Sequence, residues 1–104
     1  MSDSLNLKYN AEVEIPGGVA AVNNDTNDGS PSLVTMKNLS NSNNARVSVT
    51  LGNDAKVYTI SPKETVTYPE NGVPANFEGL VLSVSNNSQP GTNAVLNTLL
   101  TANG

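Results

Sequence analysis

The stretch that decides the fold is residues 5–15, which read LNLKYNAEVEI. Apolar side chains occupy every second position, and Asn, Lys and Glu occupy the positions between them. This period of two gives a β-strand one apolar face and one polar face, whereas a helix would scatter the same side chains around its axis. The following Pro16-Gly17-Gly18 favours a turn. We therefore expect one long amphipathic strand at residues 5–15, and an all-β chain.

The rest of the chain repeats this pattern on a shorter scale, with polar loops rich in Asn, Ser, Gly and Pro between apolar segments. The last segment, residues 94–102, fits either a closing strand or a short helix. The loops are too short for crossover helices, so we expect antiparallel pairing. Residues 1–104 are predicted to form a single antiparallel β-sandwich domain, jelly-roll or immunoglobulin-like, with about seven or eight short strands.

The other predicted strands are residues 33–39, 46–51, 56–60, 64–68 and 79–85. Alternation predicts that Tyr58, opposite Val57, faces outward. It places on the inward faces of the first, second and last of these strands Val34 and Met36; Val47, Val49 and Leu51; and Leu80, Leu82 and Val84.

The composition predicts a thin hydrophobic core. Apolar residues make up 37% of the 104 residues, and the aromatic residues are three Tyr and one Phe. The core must then be built mainly from Val, Leu, Ile and Ala. Association with further copies is a common way for such a chain to gain buried surface.

Charge and hydropathy argue against several classes of partner. Five bases are scattered among nine acids, for a net charge of −4, whereas a nucleic-acid site needs clustered positive charge. The longest apolar run, residues 19–22, is far too short to span a membrane. The chain has no cysteine and its first residues do not resemble a secretory signal, so we expect a cytoplasmic protein or one assembled in a virion or particle.

The residue inventory predicts no catalytic site. Without His or Cys the chain lacks the usual general base at neutral pH and the common nucleophilic pairs. Glu12 and Glu14 share the polar face of the first predicted strand, where a solvated surface is the simpler interpretation. Ser61 and Lys63 flank Pro62 and fit a turn. We therefore expect a protein that is not an enzyme.

The polar loop at residues 23–29, NNDTNDG, is the most plausible ligand site in the sequence. Its carboxylates, amides and hydroxyl are the oxygen donors that calcium takes, but the twelfth position of an EF-hand-like loop is Thr35 where a Glu is needed. Apart from a possible calcium ion, no cofactor is expected. The candidate calcium ligands are Asn24, Thr26 and Asp28; the candidate ligand-binding residues are Asn24, Asp25, Asn27, Asp28 and Tyr58.

Three asparagines stand in Asn-x-Ser/Thr sequences, namely Asn24, Asn38 and Asn86. The chain contains 17 Asn and many Ser and Thr, so chance readily produces this spacing. We expect no glycosylation from these three sequences.

Two functional hypotheses follow. The first is a structural subunit of a virion, appendage or inclusion that associates with copies of itself, because a long first strand would offer an edge to a neighbour. The simpler interpretation of that segment is a strand bent at Asn10 with both halves in one domain. The alternative function is a carbohydrate- or surface-binding module, such as the receptor-binding part of a toxin. The predicted interface residues are Leu5, Leu7, Tyr9, Val13 and Ile15.

Overall fold

The computed structural model describes residues 4–23, 31–69, 71–77 and 79–102. These residues form ten β-strands and no helix. The all-β prediction is confirmed, and the last segment is a strand. In chain order the strands are β1 Ser4–Asn6, β2 Val13–Ile15, β3 Ala20–Asn23, β4 Pro31–Asn38, β5 Ala45–Leu51, β6 Asp54–Ile60, β7 Thr65–Tyr68, β8 Ala75–Asn76, β9 Leu82–Asn86 and β10 Leu96–Ala102.

The strands form two sheets. Sheet A has the order β1-β3-β9-β5-β6, and sheet B has the order β2-β10-β4-β7, with β8 also paired to β4. Among the ten described strands all pairings are antiparallel except that of β1 with β3; an isolated bridge between Tyr9 and Leu100 is also parallel. The prediction of a wholly antiparallel fold is therefore wrong. The parallel pair needs no crossover helix, because the chain leaves sheet A after β1, contributes β2 to sheet B and returns as β3.

The prediction of one continuous strand at residues 5–15 is also wrong. The segment breaks at Asn10, whose φ of 64° lies in the left-handed region, and its two ends belong to different sheets. Asparagine is one of the few residues that tolerates this conformation at low cost. The alternation correctly places Leu7 and Ile15 in the core and Asn6, Lys8, Glu12 and Glu14 in solvent, but Ala11, expected on the apolar face, is exposed.

Both sheets contribute to one cluster of buried apolar side chains. The predicted inward faces of β4 and β5 are confirmed, since their alternate residues are fully buried. Leu80 was expected on the inward face of a strand beginning at Gly79, but the strand begins at Leu82 and Leu80 is 41% exposed. The largest fully buried side chains are Phe77, Leu7, Ile15, Met36, Ile60, Leu82, Leu96 and Leu100.

Candidate functional site

The loop end, defined as the end of the molecule that carries loops 39–44, 61–64 and 87–95, depends on two buried asparagines. Asn38 ends β4 and Asn86 ends β9, and their exposed fractions are 0% and 1%. Each side-chain oxygen accepts a hydrogen bond from the backbone N–H two residues later, at Ser40 and Ser88 respectively. The serine of each Asn-x-Ser sequence is therefore part of a turn that the asparagine holds.

The amide groups of these two asparagines link the sheets. Asn38 Nδ2 donates to the carbonyl oxygen of Ile60 at 2.9 Å, so a residue of sheet B binds the end of a strand in sheet A. Asn86 Nδ2 makes the converse link, donating to Ile15 in sheet B at 2.8 Å and also to Ala94. Because the groups are buried, each bond satisfies a carbonyl that water cannot reach. Both asparagines thus have a structural role, which the sequence interpretation missed by attributing the spacing to chance.

A polar groove of about 390 Å³ opens between loops 39–44 and 87–95, and its walls are held by hydrogen bonds. Asn43 Nδ2 and Ser40 Oγ both donate to Asn93 Oδ1, at 2.7 Å and 2.6 Å, which joins the two loops. Gly17 lies against the second loop so closely that a Cβ there would be 2.8 Å from the carbonyl oxygens of Ser88 and Gln89. The groove is lined by Asn43, Asn44, Arg46, Asn87, Ser88, Gln89 and Thr92.

The second exposed feature is strand β6, which forms one edge of sheet A. Within the described residues it pairs with β5 alone, and Val57 on its outer face is 74% exposed. The turn that joins the two strands has Gly52 at its first central position with a φ of 59°, as a type II′ hairpin turn requires. This two-residue turn closes on the Leu51–Asp54 pair, so the hydrogen-bonded pairs alternate from there. The backbone N–H and C=O of Ala55, Val57 and Thr59 consequently point away from β5.

The outer face of sheet A continues from β6 as two rows of small uncharged side chains across four strands. The register aligns Ala20, Ser85 and Ser48 with Val57 in one row. In the next row it aligns Val22, Ser83 and Thr50 with Ala55. Neither row contains a charged residue; the next row of this face aligns Thr59 with Arg46.

Tyr58, proposed from the sequence as a ligand-binding residue, does not point outward. Its ring is half-buried and packs on the core, and Val57 is the outward-facing neighbour. The open groove beside Tyr58 measures about 320 Å³ and is lined otherwise by Thr65, Val66 and Thr67 of β7. It therefore lies between the edge strands of the two sheets.

The remaining predicted site residues divide into two groups. Leu7 and Ile15 lie in the core, while Leu5, Tyr9 and Val13 are partly buried and pack against it. Tyr9 also hydrogen-bonds through its hydroxyl to Ser32 Oγ at 2.9 Å. The loop residues proposed for ligand and calcium binding lie outside the described residues; they are Asn24, Asp25, Thr26, Asn27 and Asp28.

Three further kinds of feature can indicate a functional site: clusters of metal-ligating side chains, long apolar helices and shifted pKa values. They contain no cluster of three or more His, Cys, Asp or Glu that could hold a metal ion. They also contain no helix with the length and hydrophobicity needed to span a bilayer. Burial raises the pKa of the Tyr68 phenol above its ordinary value of 10.0, and the adjacent Asp54 carboxylate, which accepts its hydrogen bond at 3.3 Å, raises it further.

Comparison with known proteins finds no family model, no curated protein and no solved structure that matches this chain.

Proposed function

We propose that this chain is a non-enzymatic structural subunit that associates with copies of itself through the edge of β6, as a component of a virion, appendage or inclusion. The observation that carries the proposal is the exposed edge itself. β6 is seven residues long, whereas the other three edge strands named in the sheet orders, β1, β2 and β7, have three or four residues. Short edges are a common protection against unwanted pairing, and β6 lacks it.

We further assign the two sheets to a jelly roll rather than an immunoglobulin-like sandwich. A jelly roll arranges eight strands, B to I in chain order, as the four-stranded sheets B-I-D-G and C-H-E-F. With β2 to β7 taken as B to G, β9 as H and β10 as I, the orders β2-β10-β4-β7 and β3-β9-β5-β6 follow this arrangement. The antiparallel pairing of all neighbours in these two orders supports the assignment, as does the cluster of buried side chains that both sheets share. β1 and β8 are additional strands beside β3 and β4.

The pairing we propose is antiparallel and centred on Val57, so that Val57 faces Val57 of the second copy. Ala55 then faces Thr59, and the backbone groups directed away from β5 meet their counterparts. The side chains that line up on the outer face are small or β-branched, a composition that packs well on a pleated surface. The product is a continuous sheet made of two copies of sheet A.

Lys56 needs separate consideration, because a lysine on an edge strand often discourages pairing. In the register centred on Val57, Lys56 faces Tyr58 of the second copy. The lysine stem can lie along the tyrosine ring while its ammonium reaches water, an arrangement that covers the groove beside Tyr58. In this register Lys56 therefore does not prevent β6 from pairing with a second copy.

Sedimentation velocity over a range of protein concentrations tests the proposal, with Val57→Pro as the decisive variant. Proline removes the N–H that points away from β5, so it blocks a strand partner without breaking a bond of the hairpin. We expect the wild-type chain to form dimers or larger species and Val57→Pro to remain monomeric. Val57→Ala is the matched control, because it keeps the N–H and should weaken association only in part.

A wild-type chain that stays monomeric at all concentrations would contradict the proposal. Unchanged association of a Val57→Pro variant with a normal melting temperature would contradict it as well, since association would then use another surface. The alternative function, a carbohydrate- or surface-binding module, depends on the polar groove at the loop end and is independent of β6.

A further inference from the structure

We propose that the polar groove at the loop end binds saccharides that carry a carboxylate. The groove lies between the β4–β5 and β9–β10 loops, at one end of two sheets whose strands hold the loops in position. Its volume of about 390 Å³ is within the range of small-molecule sites. The inference does not rest on self-association through β6.

The lining of the groove selects a strongly hydrated ligand. All the lining residues that the structure describes are polar, so the groove offers little to an apolar cofactor. The side chains of Asn44, Arg46 and Gln89 make no hydrogen bond or ion pair within the described residues. Two of these groups are amides, each with two donors and an acceptor, and such groups match the hydroxyl pairs of a sugar.

Arg46 adds a requirement for negative charge. Among the described residues of the lining it is the one charged residue, and its backbone N–H is held at 3.0 Å by Ser88 Oγ, a group that the Asn86 turn positions. A guanidinium binds a carboxylate through two parallel, charge-assisted hydrogen bonds, which are stronger than those it can make to the neutral hydroxyls of a sugar. A nucleic-acid backbone is bound by several Lys or Arg side chains together, so a single cation is too few for it.

The groove is also stiff, which limits the cost of ordering its side chains on binding. The bonds from Asn43 and Ser40 to Asn93 join its two walls, and the second wall rests on Gly17. No aromatic ring of residues 4–23, 31–69, 71–77 or 79–102 lines it, so affinity for one sugar chain should be low, with a Kd of about 1 mM. Several copies on one particle would raise the effective affinity.

The test is a titration of the ¹⁵N-labelled chain with oligogalacturonate and, in parallel, with a neutral galactose oligomer of equal length, followed by NMR. We expect the side-chain amide signals of Asn44 and Gln89 to shift with oligogalacturonate. Arg46→Gln should weaken this binding about tenfold and leave the neutral oligomer unaffected. Lys37→Gln, which removes an exposed positive charge from β4, outside the groove, should change neither titration.

Two results would overturn the inference: no shift of the groove signals at about 20 mM saccharide, well above the expected Kd, or equal loss of binding in Arg46→Gln and Lys37→Gln, which would mean a general charge effect. Asn44→Ala should lose binding while keeping the wild-type melting temperature. Repeating the titration on Val57→Pro separates this site from self-association, because we expect its groove to bind as in the wild type.

Discussion

The loop end and strand β6 reverse the usual distribution of polar and apolar side chains. At the loop end Asn38 and Asn86 are fully buried, whereas on β6 a valine is 74% exposed. The asparagines are buried because every buried bond they make satisfies a carbonyl or N–H of another segment. Val57 is exposed because sheet A ends at β6 and nothing among the described residues covers that face. The position of a group relative to its partners, more than its own polarity, decides its burial here.

The largest expected effect is the loss of stability when a buried asparagine is replaced. Asn86→Ala leaves the carbonyls of Ile15 and Ala94 and the N–H of Ser88 without their partner, so we expect a loss of about 3 kcal/mol in the free energy of unfolding. Asn38→Ala should cost a similar amount. Asn87→Ala is the control, since its exposed side chain bonds Ser48 Oγ alone within the described part of the chain, and the substitution should change stability by less than about 0.5 kcal/mol. Urea denaturation measures all three; a loss near that of the control would show that water replaces the amide.

A pair of identical substitutions compares the inside of sheet A with its edge. Val47→Ala on β5 removes two buried methyl groups and should cost about 2 kcal/mol in unfolding free energy. Val57→Ala on β6 should cost less than about 0.5 kcal/mol in the monomer, because that side chain is already in water. Denaturation experiments at low protein concentration measure the two losses of unfolding free energy. A cost at position 57 that rises with protein concentration would indicate that the valine is buried in an associated form.

Thr98 has a buried polar side chain that, unlike those of Asn38 and Asn86, has no hydrogen-bond partner among the described residues. Its side chain is fully buried on β10, and its hydroxyl makes no hydrogen bond within the described residues. Thr98→Val removes this hydroxyl at nearly constant shape, so we expect a gain of about 1 kcal/mol in stability. The melting temperature measures it, with Thr101→Val, whose half-buried hydroxyl bonds the Leu33 carbonyl, as the control. A loss of stability in Thr98→Val would mean that the hydroxyl has a partner in solution.

The smallest effect concerns Tyr68, which joins the core to the start of β6 through Asp54. Burial and Asp54 raise the phenol pKa in the folded chain above its ordinary value of 10.0. The unfolded chain therefore loses this proton first as the pH rises, so the stabilisation is complete below about pH 10 and is lost as the pH approaches the folded-state pKa. Tyr68→Phe should flatten the fall of stability above pH 10, in denaturation experiments from pH 8 to 12. An identical pH dependence in the two proteins would contradict the raised pKa.

Part of this structure could be predicted from local patterns. Alternation identified the inward faces of β4 and β5 and the core positions Leu7 and Ile15, because a residue's side of a strand depends only on the parity of its position. The same pattern could not indicate that residues 5–15 divide between two sheets, since a break at Asn10 preserves the alternation. It also could not locate the groove at the loop end, whose lining comes from two loops far apart in the chain.

The sequence by itself determined that the chain is all-β and which side chains β4 and β5 turn toward the core, because both follow from the period of the apolar residues. Only the tertiary structure decided which strand lies at an edge and which polar side chains are buried. β4 and β6 are similar in length, yet among the described strands β4 has neighbours on both sides and β6 has a neighbour on one side. Asn38 and Asn86 find their carbonyl partners on Ile60 and Ile15, residues that lie near them only after the two sheets have met. Strand neighbours and buried hydrogen bonds are long-range relations, and local periodicity contains no information about them.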